Sequence, residues 1–350
     1  MEKLFFIHIK KTTIIFYLTI ISITAGCDEF RNDADSGIDY LDVPPDSVVL
    51  TLEEPKTVTA SDIILKKDIQ FEDYTLEDEY QYKDTTRRFQ WEKIQEKIAH
   101  IENEVNKSAE SYKIGIFSNY RNQNGEAPTV SDFVRDDYKR VSDQYGVERY
   151  QSVPLYSSEG DTILVRYGRD GWIAKIMDSD TTEMIRVKGI SFEGEYLIPN
   201  RYLIPWGDSI KLDKFVAVDV TNQNISTIEK RDEEWFILSM NPATTGVHKP
   251  PYAHETPVGI FAVQEQKVKM LYTKDGSNEL AGYAPYASRF TNGAYIHGVP
   301  TQSTRQSIIE WSNTLGTTPR SHMCVRNASS HAKFVYDWVT VKETVVFVID

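Results

Sequence analysis

The stretch "PRSHMCVRNASSH" (residues 319–331) sets one cysteine between a histidine and an arginine. Cys324 follows His322 and precedes Arg326, and the only other cysteine in the 350 residues is Cys27. Cysteine attacks carbonyl carbon as the thiolate, and a nearby cation, a histidine or a helix N-terminus lowers the thiol pKa. The stretch therefore predicts a nucleophile, and a small buried apolar residue is the alternative.

A helix is expected directly after this cysteine. Its apolar positions at helical spacing are Ala332, Val335, Tyr336 and Val339. Asn327 or Ser330 is a suitable N-cap. Because the thiol would lie ahead of a helix N-terminus and near a histidine, we expect a thiol pKa below about 8.5.

Before the cysteine, the sequence has the pattern of β-strands. From about Asp213, the strand-like runs "KFVAVDV", "NISTIEK" and "EWFILSM" are separated by the turns "TNQN" and "RDEE". A further run, "GAYIHG", contains His297 between two glycines that permit close backbone approach. We expect an antiparallel β unit, but spacing alone does not bring His297 beside Cys324.

Three motifs in order carry a resemblance: "TPVGIF" (256–261), "IHG" (296–298) and "SHMCVR" (321–326). The set resembles the YkuD-type L,D-transpeptidases, whose signature is a His-Gly pair followed by Ser-His-Gly-Cys, an aliphatic residue and Arg. The resemblance covers residues 210–350. It implies a mainly β fold with some α, with a β-rich catalytic domain of the YkuD type over these residues.

The resemblance also implies catalytic roles. Cys324 is the nucleophile that becomes acylated, and His297 is the base that takes its proton. The backbone carbonyl of Gly298 orients His297, and Ser321 braces the loop before the nucleophile. A nucleophile, a base and an orienting group form the general arrangement for covalent acyl transfer.

Further residues are expected around this pair. The backbone N–H groups of His322, Met323 and Cys324 would bind the oxyanion. Arg326 would hold a substrate carboxylate in a bidentate manner, and a structural salt bridge is the alternative. Tyr286 and Arg289 are expected to line the cleft, with core packing as the alternative.

The implied reaction acts on the stem peptides of peptidoglycan by a ping-pong route. Cys324 attacks at the L,D bond, expels the terminal D-alanine and passes the acyl group to an amine to form a cross-link. With water as the acceptor, the protein is an L,D-carboxypeptidase. Met323 stands where the family has glycine, so an inactive wall-binding module is a further hypothesis. Carbapenem β-lactams are expected inhibitors, and no cofactor is implied.

The N-terminal stretch "MEKLFFIHIKKTTIIFYLTIISITAGC" has a basic leader and an apolar run. Its end, "TAGC", resembles a bacterial lipobox, although Thr24 departs from the usual aliphatic residue. We expect residues 1–26 to be a lipoprotein signal peptide and Cys27 to carry lipid. The protein would then be anchored in a membrane of the cell envelope, facing the periplasm or cell wall. An uncleaved signal anchor is the alternative.

Composition excludes some partners. The chain has 52 acidic and 39 basic residues and a net charge of −13. Nucleic acid is not an expected partner, because binding to phosphate backbones needs a basic surface. No metal site is predicted, because the histidines lack paired ligand spacing. Four histidines are expected to be solvated at the surface, namely His100, His248, His254 and His331.

Three regions are predicted ahead of the catalytic domain. Residues 27–82 are acidic with few apolar clusters and indicate a flexible tether. Residues 83–146 are expected to be a helical or linker region. Its helix would bury the positions Ile94, Ile98, Ile101 and Val105. Residues 147–208 resemble a bacterial SH3-like β domain, with a hairpin expected to turn at "GRDG" (168–171).

Overall fold

The computed structural model describes residues 57–106, 113–159, 163–177, 183–206, 210–305 and 307–350. The predicted signal peptide and Cys27 lie outside these residues. Residues 54–350 form one compact unit. None of the helices in the described ranges is long and apolar enough to span a membrane.

The described residues are mainly β. The strands are β1 (Leu65–Lys67), β2 (Glu79–Tyr82), β3 (Thr85–Arg88), β4 (Lys113–Phe117), β5 (Val134–Arg135), β6 (Val141–Ser142), β7 (Ser152–Ser157), β8 (Leu164–Arg169), β9 (Ile173–Ile176), β10 (Met184–Gly189), β11 (Glu195–Pro199), β12 (Leu203–Pro205), β13 (Lys214–Asp219), β14 (Asn224–Arg231), β15 (Glu234–Pro242), β16 (Gly259–Ala262), β17 (Glu265–Thr273), β18 (Leu280–Thr291), β19 (Ala294–His297), β20 (Thr301–Gln302), β21 (Val325–Arg326) and β22 (Thr344–Ile349). The helices are α1 (Trp91–Ile101), continued by a π-helical turn over Glu102–Asn106, and α2 (Ser329–Trp338). Short 3-10 turns cover Ala60–Asp62, Tyr120–Asn122 and Asn200–Tyr202. This content confirms the expected mainly β class with some α.

Three larger sheets organise the strands. One has six strands in the order β1-β15-β14-β13-β22-β16, and a second has seven in the order β12-β4-β9-β10-β11-β7-β8. The third, which we call the catalytic sheet, has the order β17-β18-β19-β21, with β20 pairing to β18. In the six-stranded sheet every residue of β22 is buried, which explains its continuous apolar run "VVFVI".

Helix α1 covers part of the six-stranded sheet. Ile94, Ile98 and Ile101 are buried in a cluster that includes Phe215 and Phe347 of that sheet. The spacing of these isoleucines places them on one face of the helix. The predicted helix is therefore confirmed, with Ile94, Ile98 and Ile101 buried, whereas Val105 lies in the π-helical turn and is half-buried.

Helix α2 follows the cysteine, as expected, but starts without a side-chain cap. Its N-cap residue is Ala328, and neither of the predicted caps fills that role. Asn327 is buried and its side chain contacts the ring of His331 at 3.0 Å. The prediction of Asn327 or Ser330 as the cap is wrong, because Asn327 bonds within the core and Ser330 lies inside the helix.

The flexible-tether prediction is wrong for residues 57–82. Strand β1 pairs in parallel with β15, and the chain continues along that edge through Asp68 N–H to Ile237 O at 3.0 Å. Ile63 is buried in the same cluster as α1. The backbone of this acidic segment therefore pairs with a sheet edge, whose unpaired N–H and C=O groups favour such pairing. Its few apolar residues add to the core. Residues 27–56 lie outside the described ranges.

The region boundaries ahead of the catalytic domain also differ from the prediction. The seven-stranded sheet draws β4 from the residues assigned to a helical or linker region, so residues 147–208 do not form a separate SH3-like unit. The hairpin at "GRDG" is absent, since β8 pairs with β7 and β9 lies between β4 and β10. Asp170 in this turn is fully buried, and its carboxylate accepts the N–H of Asn292, which directly follows β18. The turn is therefore packed inside the protein.

Candidate active site

Strand pairing brings the predicted base and nucleophile to one face of the catalytic sheet. Strands β19 and β21 are parallel, with Ile296 opposite Val325 and His297 opposite Arg326. Paired residues share a face and alternate residues return to it, so Cys324, two before Arg326, faces the same side as His297. All three line a cavity of about 790 Å³.

His297 is held in one tautomer. The ring is 2% exposed, and Nδ1 lies 2.6 Å from the carbonyl oxygen of Gly298. Since a carbonyl only accepts, Nδ1 carries the proton and Nε2 keeps a free lone pair. Burial lowers the pKa of His297 to about 4, with the charge of Arg326 acting in the same direction. The ring is therefore neutral at neutral pH and is able to accept a proton.

Cys324 is a protonated thiol at rest. Its side chain is 7% exposed, and Sγ donates to the carbonyl oxygen of Gly293 at 3.5 Å. Burial raises the pKa of Cys324, and the Tyr295 backbone and Arg326 oppose that rise without cancelling it. The expected lowering of the thiol pKa is wrong, because desolvation outweighs the nearby cation. The two groups form a neutral pair.

The loop before the nucleophile leaves three backbone amides free. In the described part of the chain, the N–H groups of His322, Met323 and Cys324 donate to no acceptor. Ser321 N–H donates to Thr245 O at 3.0 Å, and Ser321 Oγ donates to the carbonyl of Cys324. Ser321 thus lies where the brace was expected. Adjacent free amides beside a nucleophile are the arrangement that stabilises a developing oxyanion.

Met323 has the backbone conformation that favours glycine. Its φ is 89°, in the left-handed region, which costs a non-glycine residue about 1 kcal/mol. Its half-buried side chain packs against the apolar core and is not among the residues that line the cavity. The thioether thus contacts the core rather than the cavity.

Two residues that sequence reasoning missed hold Met323 in place. Thr256 Oγ1 donates to the Met323 carbonyl at 2.8 Å and accepts the N–H of Gly246 at 2.8 Å. A Cβ on Gly246 would lie 2.7 Å from the Cα of Met323, so only glycine permits this approach. The motif "TPVGIF", which begins at Thr256, was the available signal for this residue.

Arg326 is a charged group without a protein partner. It makes no ion pair among the described residues, and its Nε is buried without a hydrogen-bond acceptor. Burial lowers its pKa from the ordinary arginine value. A structural salt bridge, the alternative interpretation of this residue, is absent from the described ranges. A buried donor that faces a cavity favours a ligand that brings an acceptor.

Two predicted cleft residues lie elsewhere. The Tyr286 ring packs 6.1 Å from that of Tyr336 on α2. Arg289 is buried and pairs with Asp170 of the seven-stranded sheet at 2.5 Å. Neither residue lines the cavity. The cleft prediction for both is wrong, because strand β18 directs them to the helix and to the junction between sheets.

The predicted surface positions of the histidines need correction. Of the four, only His248 is exposed, while His100 and His254 are half-buried. His331 is fully buried, with Nε2 2.9 Å from Ser239 Oγ. Burial lowers the pKa of His331 to about 3. The described residues contain no cluster of three potential metal ligands.

The arrangement therefore defines a class: a β-rich domain with a neutral Cys–His pair beside free backbone amides in one cavity, a geometry that can support acyl transfer. Residues 213–348 match the family model of the YkuD L,D-transpeptidase catalytic domain. The chain thus carries a YkuD-type catalytic domain over these residues. No curated protein matches the chain.

Solved structures similar to the chain include a fused Zn-dependent amidase/peptidase/peptidoglycan-binding domain-containing protein from Clostridium acetobutylicum, at 19% identity and TM-score 0.29. That match covers 39% of this chain and 51% of the other, so the chain spans about half the length of that protein. L,D-transpeptidase 3 from Mycobacterium tuberculosis with a faropenem-derived adduct shares 19% identity, covers 45% and 73%, and has TM-score 0.31. An L,D-transpeptidase from Mycobacterium smegmatis shares 16% identity, covers 57% and 99%, and has TM-score 0.33. The assignment rests on the family match.

Proposed function

We propose that this protein is a peptidoglycan L,D-transpeptidase in which Cys324 becomes acylated. The observation that carries the proposal is the shared cavity of Cys324, His297 and Arg326 inside the matched domain. The free amides of residues 322–324 lie beside the thiol, and the His297 tautomer leaves Nε2 unprotonated.

The first half of the reaction moves one proton to His297. As Sγ of Cys324 bonds to the carbonyl carbon at the L,D bond, the thiol proton passes to Nε2 of His297. The carbonyl oxygen becomes an oxyanion and accepts hydrogen bonds from the free amides. His297 then gives the proton to the leaving amine nitrogen, the C–N bond breaks, and D-alanine departs from a thioester on Cys324.

The second half reverses these transfers. An amine of another stem peptide attacks the thioester, His297 removes its proton, and the C–S bond breaks as the cysteine is reprotonated. The product is a cross-link. With water in place of the amine, the same steps give L,D-carboxypeptidase activity, so the acceptor decides between the two reactions.

A proton transfer from a neutral thiol suits the pKa values of the pair. The raised pKa of Cys324 and the lowered pKa of His297 disfavour a resting thiolate–imidazolium pair. The base is therefore needed when the sulfur attacks, and it acts at the moment of bond formation.

Intact mass tests the proposal directly. A carbapenem presents a strained carbonyl to the thiol, and we expect one covalent adduct per chain in the wild type and none in Cys324→Ser. A stem tetrapeptide should release D-alanine, and an added amine acceptor should give a cross-linked product. A folded wild type that gives neither adduct nor D-alanine would favour the non-catalytic wall-binding module.

The location is part of the same proposal. Lipid on Cys27 would anchor the protein in a membrane of the cell envelope, where stem peptides occur. Cys27→Ala should then leave the membrane fraction or accumulate as an uncleaved precursor. Unchanged mature size and unchanged membrane partition would remove the lipid anchor from the proposal.

A further inference from the structure

One charged group in the catalytic cavity comes from outside the matched domain. Arg121 lines the cavity together with Cys324, although it belongs to a short turn that follows β4 of the seven-stranded sheet. The family match starts at residue 213. The cavity is thus lined by residues of the catalytic sheet and by Arg121, which follows the seven-stranded sheet.

The turn that carries Arg121 is held in an unfavourable backbone conformation. Arg121 and Asn122 have φ of 55° and 54°, and Gln151 across from them has φ of 62°. Two reciprocal hydrogen bonds fix the three residues: Arg121 N–H to Gln151 Oε1 at 2.8 Å and Gln151 N–H to Asn122 Oδ1 at 2.7 Å. Strain of this kind persists only where the surroundings impose it, and it is concentrated at functional sites.

The turn is also tied to the catalytic sheet. The Arg289 guanidinium lies 4.4 Å from the ring centroid of Tyr120, the residue before Arg121. Arg289 is in turn paired with buried Asp170, whose other carboxylate oxygen accepts the N–H of Asn119 at 2.9 Å. These contacts set the position of the turn relative to Cys324, so Arg121 has a defined base beside the cavity.

Two guanidinium groups of the cavity lack a counter-ion. Among the described residues, neither Arg121 nor Arg326 makes an ion pair, whereas the cavity's Lys274 pairs with Glu279 at 2.5 Å. His322 similarly contacts Asp275, at 3.2 Å. In a chain of net charge −13, two unpaired guanidinium groups in one cavity indicate a ligand with more than one negative charge.

We propose that Arg121 binds a carboxylate of the peptide substrate, as a second anion-binding group in addition to Arg326, and so sets specificity for an anionic peptide. The proposal rests on the proposed function for the identity of the substrate. Arg326 is half-buried with its Nε fully buried, and it lines the cavity with the thiol, whereas Arg121 is exposed at the wall. The two groups would therefore hold different carboxylates of one extended peptide.

Binding to an unreactive protein separates this inference from catalysis. In the Cys324→Ala background, calorimetry would give the Kd of a stem tetrapeptide with free carboxylates, and of a series in which one carboxylate at a time is amidated. Arg121→Ala should weaken binding of the free peptide about fivefold, as expected for an exposed charge pair. One peptide of the amidated series should bind the Cys324→Ala protein more weakly than the free peptide does. That difference in Kd should vanish when Arg121→Ala is added.

Matched variants control for folding and for general charge. Alanine and arginine share the same Cβ strain at positive φ, so Arg121→Ala should keep the melting temperature and the rate of Cys324 alkylation by iodoacetamide, a neutral probe. Arg135→Ala removes an exposed arginine that does not line the cavity and should leave every Kd unchanged. Equal Kd values for Arg121→Ala and its parent across the series would overturn the inference. A wild type that binds as expected but forms no adduct would overturn the proposed function instead.

Discussion

The catalytic pair and the junction between the sheets treat buried titratable groups in opposite ways. At the catalytic pair, Cys324 and His297 are buried without ionic partners, and burial shifts both pKa values toward the neutral forms. At the junction, Asp170 and Arg289 are just as buried but lie 2.5 Å apart. Burial penalises an isolated charge, whereas a partner with well-placed hydrogen bonds can retain it. The chain thus keeps Cys324 and His297 uncharged, although a buried ion pair between Asp170 and Arg289 lies in the same fold.

The largest expected effect comes from breaking the neutral pair. His297→Gln should slow acylation of Cys324 by a stem peptide or a carbapenem about 10²- to 10⁴-fold, because the base takes the thiol proton during attack. Cys324→Ser should form no adduct, and adding His297→Gln to it should change nothing further, because the two residues act as a unit. Single-turnover adduct formation followed by mass gives the rates.

Alkylation gives the corresponding control on the resting state. The iodoacetamide rate of the wild type should still be rising with pH at about 8.5, the ordinary thiol pKa, and should not level off there, since burial raises the Cys324 pKa. An apparent pKa well below that value would show a resting thiolate and contradict the neutral pair.

The junction should be almost as sensitive, but in stability. Asp170→Ala leaves the buried Arg289 with only Glu265, at 3.4 Å, as an ionic partner, and also removes acceptors for the N–H groups of Asn119 and Asn292. We expect the free energy of unfolding to fall by about 3–5 kcal/mol. Urea denaturation measures it. Glu234→Ala, which breaks an exposed ion pair with Lys66, should cost less than about 1 kcal/mol. Similar losses for both variants would mean that the junction does not hold the sheets together.

His331 extends the comparison to a neutral group away from the cavity. Its pKa of about 3 lies below the ordinary histidine value of 6.5, so the unfolded chain binds a proton that the folded chain does not. The contribution of neutral His331 to the free energy of unfolding is therefore present above pH 6.5 and is lost as the pH decreases toward 3. Between pH 6.5 and pH 5 the loss should be about 2 kcal/mol.

Variants isolate this contribution as a slope. His331→Gln should reduce the pH dependence of the unfolding free energy in that window by about one proton, whatever its own stability. His297 also has a lowered pKa and adds a similar slope. The wild type and His331→Gln both keep His297, so the difference between their slopes belongs to His331. A wild-type slope that His331→Gln does not alter would show that His331 is not buried neutral.

Sequence patterns identified the catalytic sheet far better than the sheet beside it. The motifs around His297 and Cys324 name chemistry, and the helical spacing of Ile94 and Ile98 is local, so both could be predicted. The partners of β4 and the path of residues 57–82 depend on long-range pairing, which no local pattern encodes. Asp170 illustrates the limit: "GRDG" is typical of a solvated turn, and only the fold shows that its carboxylate is buried against Arg289.

The same limit applied inside the site. The resemblance led us to expect Arg289 and Tyr286 in the cleft, but Arg289 pairs with Asp170 and Tyr286 packs on Tyr336 of α2, and both contacts depend on partners that are distant in sequence. The thiol pKa was predicted from neighbours in sequence, whereas its burial decides the direction of the shift. Thr256 was missed because its partner, the Met323 carbonyl, is distant in sequence.

The smallest expected effect belongs to Met323, and it separates backbone strain from side-chain contact. At a φ of 89°, Met323→Gly should remove a strain of about 1 kcal/mol but also remove the apolar packing of a half-buried side chain. Met323→Ala loses the same packing and keeps the strain, so the glycine variant should be the more stable of the two by about 1 kcal/mol. Denaturant unfolding measures that difference. Because the proposed oxyanion donors are backbone groups and the side chain lies against the core, the wild type and both variants should form the carbapenem adduct, with rates within about tenfold of one another. A wild type that stays unmodified while Met323→Gly is acylated would show that methionine closes the oxyanion site, and the protein would then be a disabled relative of the enzymes it resembles.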